Sequence, residues 1–242
     1  MAKVVTLVPW RGCGDARRDY LWKFVKTRWI PKYSGEQSDW DWWSAPGPLD
    51  GPFNRGAAIN EAARLFDDWE VAVIHDADTI CSPDMIRAAV WRIQNHMAGV
   101  IFPYETYTYL DQWSSDRIIQ YGDMGFLSPE VHPVEGVRTT VRHHHVSGAM
   151  VVSRAAWDAV GGFIELPGWG AEDYIMYWLF KTFATEPVWM KGGAYHLWHP
   201  ASRNDGSVEQ VTNAQILADV MSLAPVPDQL RDYLREGGHP IA

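Results

Sequence analysis

Two carboxylates, Asp76 and Asp78, flank one alanine just after His75, which ends the apolar run of residues 71–74. Carboxylates this close repel each other unless a cation or hydrogen-bond donors sit between them. A divalent metal is the natural partner, because hard cations prefer oxygen ligands. An imidazole could complete such a site, and His196 and His199 in Tyr195-His-Leu-Trp-His-Pro are the candidates. The run His143-His144-His145 precedes a strand, where alternation sends side chains to opposite faces, so a structural role is expected for it. A second carboxylate pair, Glu172 and Asp173, follows Gly168-Trp169-Gly170-Ala171 at the start of a helix. The helix dipole favours carboxylates in a first turn and keeps them ionised. A carboxylate on a rigid helix could also serve as a general base. Trp169, between two glycines, offers an aromatic wall for a sugar ring. Arg11 and Arg55 are candidate phosphate clamps, since a guanidinium presents a planar fork of donors.

The elements that must position these groups are legible in the hydrophobic pattern. Residues 4–8 form a continuous β-branched run ending at Pro9, as a buried parallel strand does. Residues 15–27 read as an amphipathic helix, 29–50 as an irregular aromatic segment, and 54–66 as an Ala-rich helix. Residues 71–74 form a second buried strand. Ser82-Pro83 opens a helix over 84–97, and 99–102 form a third strand. Residues 104–141 read as loop-rich. A strand over 146–152 leads into a short helix, 154–160, closed by Gly161-Gly162. Helices follow over 171–183, 208–221 and 227–235. Strands alternating with helices predict an α/β domain with a mostly parallel sheet. In such sheets ligands bind beyond the carboxyl ends of the strands, where Arg11, Asp76 and Asp78 fall.

The 242 residues carry a net charge of −9, which argues against a broad phosphate-binding surface for nucleic acid. The chain holds 14 Trp, residues that serve equally as core anchors and as stacking walls. Two cysteines, Cys13 and Cys81, cannot make a disulfide framework. The first apolar run is too short for a signal peptide and no run reaches 18 residues, so no membrane span and a cytoplasmic location are expected.

Taken in order, these motifs resemble the metal-dependent glycosyltransferases of the GT-A fold. The β-1,4-galactosyltransferases and the catalytic domains of polypeptide N-acetylgalactosaminyltransferases are the nearest look-alikes. The matching residues are Pro9 and Arg11; Phe53-Asn54-Arg55 with Asn60; Asp76-Ala77-Asp78; Gly161-Gly162-Phe163; Trp169-Gly170-Ala171-Glu172-Asp173; and His199. The resemblance spans roughly residues 4–200. It implies a Rossmann-like, mostly parallel central sheet flanked by helices, in a single domain over 1–242. Within it, about 1–103 would bind the nucleotide-sugar, about 104–200 the acceptor, and 201–242 would add C-terminal helices. It gives Pro9, Arg11, Asn54 and Arg55 the nucleotide, and Asp76 a place near ribose and metal. Asp78 and His199 become direct ligands of Mn2+ or Mg2+. Trp169, Gly170 and Glu172 would meet the sugars, and Asp173 would be the catalytic base. The Asp-x-Asp and Glu-Asp pairs follow the inverting pattern, whereas the retaining look-alikes carry Asp-x-His and Glu-Asn. Ala171 stands where a second glycine is usual, and residues 29–50 have no counterpart.

The resemblance implies a UDP-sugar donor and leaves the acceptor open: a saccharide, a small molecule, a protein or a hydroxylated DNA base. Two other classes compete. A sugar-1-phosphate nucleotidyltransferase needs a Gly-rich signature followed by Lys after the first strand, which Trp10-Arg11-Gly12-Cys13-Gly14-Asp15 does not supply. A non-catalytic sugar-binding module accounts for the tryptophans. It does not require Asp76, Asp78, Asp173 and His199 together.

Overall fold

The β-branched run at the N-terminus forms β1, Val4–Pro9, and all of it is buried. A strand covered on both faces belongs inside a sheet. β1 pairs in parallel with β2 (Trp40–Ala45) on one side and β3 (Val71–His75) on the other. The sheet continues through β8 (Ala149–Ser153), β5 (Val100–Phe102) and β9 (Val188–Trp189), in the order β2-β1-β3-β8-β5-β9. β8 runs antiparallel to both neighbours, and the other strands of this sheet share one direction. The mostly parallel sheet expected from the sequence is therefore present, with one reversed strand. The computed structural model describes residues 3–35, 39–66, 68–122, 140–168, 170–200 and 207–241.

Residues 29–50 depart from expectation, because they contain a strand. In β2, Trp40 is buried and its Nε1 donates to Thr6 Oγ1 at 3.0 Å, while Asp41 is exposed. The strand lies at the sheet edge, so only part of it needs apolar residues. Flanking Pro and Gly masked that short alternation. Before it, α1 (Ala16–Phe24) runs on through a π-helical turn, Val25–Trp29, into α2 (Pro31–Ser34).

A second sheet, β4-β10-β6-β7, is built from β4 (Thr79–Cys81), β10 (Gly193–His196), β6 (Thr106–Tyr109) and β7 (Thr140–His143). Two of these strands, with α5 (Gln112–Tyr121), lie where the sequence reads as loop. Long-range pairing supplies what local pattern lacks: Tyr107 is buried and its hydroxyl lies 2.9 Å from Thr79 Oγ1. β10 pairs antiparallel with β4 and parallel with β6. This puts His196 opposite Thr79, one residue beyond Asp78.

The remaining helices are α3 (Arg55–Arg64), α4 (Pro83–Gln94), α6 (Arg154–Ala159), α7 (Glu172–Phe183), α8 (Val208–Leu223) and α9 (Pro227–Glu236). Asn54 caps α3, its Oδ1 accepting from Ala57 N at 2.9 Å. Asn60 binds both the N–H and the carbonyl of Phe163, at 2.8 Å each. At Gly56 a Cβ would lie 1.8 Å from the Ile164 carbonyl oxygen, so only glycine permits this approach. These contacts lock the Gly161-Gly162-Phe163 segment onto α3 and hold the Phe163 ring over Arg55, 5.3 Å from centroid to guanidinium. Among the described residues no helix is long and apolar enough to cross a membrane.

Candidate active site at the end of the central sheet

β3 ends at His75, and the chain turns directly into Asp76-Ala77-Asp78 and β4. Asp78 meets two imidazoles: His199 Nε2 lies 3.2 Å from its Oδ2, and His196 Nε2 lies 3.7 Å from its Oδ1. One ligand atom from each of the three residues falls within 4.8 Å of the others. His199 Nδ1 is 2.8 Å from the Pro200 carbonyl. With that carbonyl fixing the Nδ1 side of the ring, Nε2 is the nitrogen that faces Asp78 and could take a cation between them, the arrangement found around metal-ligating histidines. One carboxylate and two imidazoles could hold a divalent transition ion. The set suits Mn2+ better than Mg2+, which demands oxygen ligands.

The sequence left His196 and His199 as alternatives and the resemblance preferred His199; the fold brings both to Asp78. Asp76 lies outside this cluster. Burial alone would raise the Asp78 pKa, but His196, His199 and Arg18 hold its carboxyl well below the usual range. Arg18 Nη2, on α1, stands 3.8 Å from Asp78 Oδ2. Nothing local signals it, because an Arg-Arg pair on an amphipathic helix is ordinarily a solvated face.

Two residues before Asp78, the chemistry changes from imidazole to guanidinium. Arg55 Nε and Nη2 donate to Asp76 Oδ1 at 3.0 and 2.7 Å, and Nη1 donates to Asp173 Oδ1 at 2.6 Å. Burial would lower the Arg55 pKa, but Asp173, Asp76 and Glu172 keep it firmly protonated. Arg55, expected as a phosphate clamp, thus bridges two carboxylates from distant parts of the chain. Arg11 is also engaged: it donates to the Pro48 and Gly51 carbonyls at 2.7 and 3.0 Å and lies over the Phe53 ring. Pro9 is the last residue of β1, and Asn54 spends its side-chain oxygen on the α3 cap.

Glu172 and Asp173 open α7, as expected, but both are buried. Burial opposes the helix dipole's preference for an ionised Asp173. Burial, with Glu172 and Asp76 nearby, pushes its pKa up to about 7 against the pull of Arg55 and a Ser147 hydrogen bond. Burial raises Glu172 as well. The turn before the helix is strained: Gly170 has φ +107° and Ala171, a non-glycine, has φ +74°. The position where the look-alikes carry a second glycine is therefore one whose backbone favours glycine. Trp169 lies outside the described residues.

Between the two corners sits an aromatic wall. His145 is buried, with ring centroids 4.7 Å from Tyr107 and 6.2 Å from Tyr174, while His143 and His144 are exposed. Burial and the nearby Arg142 push the His145 pKa down to about 4, so this imidazole is neutral at physiological pH. Asp76 is tied to this wall through its N–H, which donates to the Gly148 carbonyl at 2.8 Å.

No family model matches the chain, and no curated protein matches it. Solved structures do. The catalytic domain of Drosophila β1,4-galactosyltransferase 7 with xylobiose superposes with a TM-score of 0.56 at 16% identity, over 84% of this chain and 74% of that one. A variant of that enzyme with manganese, UDP-Gal and xylobiose gives 0.52 at 17% identity, over 82% and 72%. Glucosyl-3-phosphoglycerate synthase from Mycobacterium tuberculosis, with Mn2+ and UDP-glucose, gives 0.54 at 12% identity, over 93% and 80%. The chain has the GT-A glycosyltransferase fold.

Proposed function

We propose that this chain is a glycosyltransferase that moves a sugar from a UDP-sugar to an acceptor hydroxyl, with a divalent cation and with inversion at the anomeric carbon. The observation that carries the reading is the Arg55 bridge. Its bonds of 2.7 Å to Asp76 and 2.6 Å to Asp173 hold the Asp-x-Asp corner against the Glu-Asp helix. Charge binding and base chemistry thereby share one site. A module that only bound sugar would not gather a buried carboxyl shifted toward neutrality beside a candidate metal triad. The sugar-1-phosphate nucleotidyltransferase reading gains nothing from this arrangement.

Each residue then has a task. The β1 end with Pro9 and Arg11, and the segment around Asn54, form the nucleotide side. Asp78, His196 and His199 would hold Mn2+, with Mg2+ the weaker choice. When bound, such a cation neutralises charge on the departing diphosphate. Arg18 adds positive charge at the same corner. Asp173 takes the proton of the acceptor hydroxyl as that oxygen attacks the face opposite the leaving group. Glu172 accepts a hydrogen bond from a sugar hydroxyl, and Trp169 and Gly170 line the acceptor side. The net charge of −9 makes a saccharide, small-molecule or protein acceptor a better fit than a hydroxylated DNA base.

The test is a thermal-shift panel of nucleotide-sugars with and without Mn2+, followed by turnover of the best donor. A donor at 100 times its Kd should stabilise by about 2.7 kcal/mol. The stabilisation should require the cation, and Asp78→Ala should abolish the cation response while the protein still melts cooperatively. Full turnover in excess EDTA would refute the metal dependence.

A further inference from the structure

His196 and His199 are three positions apart on a segment that leaves β10. Fully extended, that stretch would separate them by about 10 Å. Their ring centroids are nevertheless 5.1 Å apart and both rings reach Asp78, so the path of the main chain between them must be held. Main-chain bonds hold its first part: the His196 carbonyl accepts from Leu110 N at 3.0 Å, and Leu197 N donates to the Asp78 carbonyl at 2.8 Å. Side chains hold the next residue from two sides. Trp198 N donates to Ser115 Oγ at 2.7 Å, and the Trp198 carbonyl accepts from Arg17 Nε at 3.0 Å.

Both holders are themselves fixed. Ser115, on α5, is fully buried and donates to the Asp111 carbonyl at 2.8 Å. Arg17, on α1, lies with its guanidinium 5.7 Å from the Trp198 ring centroid, and its Nη1 donates to Asp116 Oδ1 at 2.5 Å. The Arg17–Asp116 bond also joins α1 to α5, closing a loop of contacts around Trp198. Neither Arg17 nor Ser115 is a candidate ligand.

We infer that Arg17 and Ser115 are positioning residues for the cation site: by clamping the Trp198 main chain they keep His196 and His199 converged on Asp78. The inference rests on the reading that these three side chains bind a divalent cation. Removing a group that orients ligands commonly lowers metal affinity 10–100-fold. A lysine at position 17 would keep the charge but lose the fork that spans carbonyl and carboxylate.

The experiment measures Mn2+ affinity of the full chain by electron paramagnetic resonance of the free ion, for wild type, Arg17→Met, Arg17→Lys and Ser115→Ala. Melting curves without cation are recorded alongside. Each variant should raise the Mn2+ Kd about 10–100-fold. The Mn2+ concentration for half-maximal activity should rise in step, with kcat at saturating Mn2+ close to wild type. If Ser115→Ala fails to fold, the two Arg17 variants answer alone, since that side chain is only partly buried and its ion-pair partner Asp116 is half-exposed. Lower melting temperatures with wild-type Mn2+ affinity would make the clamp purely structural and overturn the inference. If wild type itself binds no Mn2+, the cation reading falls and this inference with it. Wild-type binding with unaffected variants overturns the clamp alone.

Discussion

Asp173→Asn should bind the donor as tightly as wild type and lose about 10²–10⁴-fold in turnover, the usual contribution of a positioned general base. The replacement keeps the shape at the start of α7 and can still accept from Arg55, but it cannot take a proton. The pH profile separates this role from a structural one. Burial places the Asp173 pKa at about 7, raised from its ordinary value. The base is active only when ionised, so kcat/KM should rise with pH, about tenfold per unit below that value, and level off above it. The Asn variant should lack this limb. Assignment of the product anomer by nuclear magnetic resonance checks the stereochemistry, and a retained anomer would refute inversion. Near-wild-type turnover by the Asn variant would move the role to Glu172.

The groups that meet at this site were legible in the sequence where the chemistry is local. Asp76 and Asp78 stand at the end of an apolar run, and Glu172 and Asp173 stand in the first turn of an amphipathic helix. Either pattern can be read from a window of a dozen residues. What joins them could not be read that way. Arg55 lies 118 positions from Asp173 and 21 from Asp76. Nothing in the triplet Phe53-Asn54-Arg55 says that its guanidinium bridges two distant carboxylates. The second sheet was hidden for the same reason. Thr106-Tyr-Thr-Tyr carries the alternation of a strand, but its partners β10 and β7 lie far along the chain. His196 becomes a candidate ligand only because β10 pairs with β4, and Arg18 only because α1 packs near Asp78. Burial was the remaining blind spot. The helix dipole argued for an ionised Asp173, whereas its pKa follows from how deeply α7 is seated.

Arg55→Met should lower stability by about 3–5 kcal/mol at pH 7.5, as expected when one partner of a buried ion network is removed. Methionine matches much of the side chain's length and keeps the contact with Phe163, so lost packing is a minor part of the change. What remains is Asp76, Glu172 and Asp173 facing one another with their shared cation gone. Arg55 pulls the pKa values of Asp173 and Glu172 down; without it both rise further. The sign of the pH dependence follows. The Arg55–Asp173 attraction exists only while Asp173 is ionised, and it fades as pH falls through about 7, the folded-state value. The penalty for losing Arg55 should therefore shrink at pH 5.5, where those carboxyls can take protons instead of repelling. Urea unfolding of wild type and variant at the two pH values reads this directly. An equal loss at both would mean that the carboxylates are not what Arg55 stabilises. A phosphate clamp predicts the reverse pattern: UDP affinity lost, stability unchanged. The bridge seen in the structure predicts that stability changes first, and that donor binding weakens because the Asp-x-Asp corner no longer holds its place against α7.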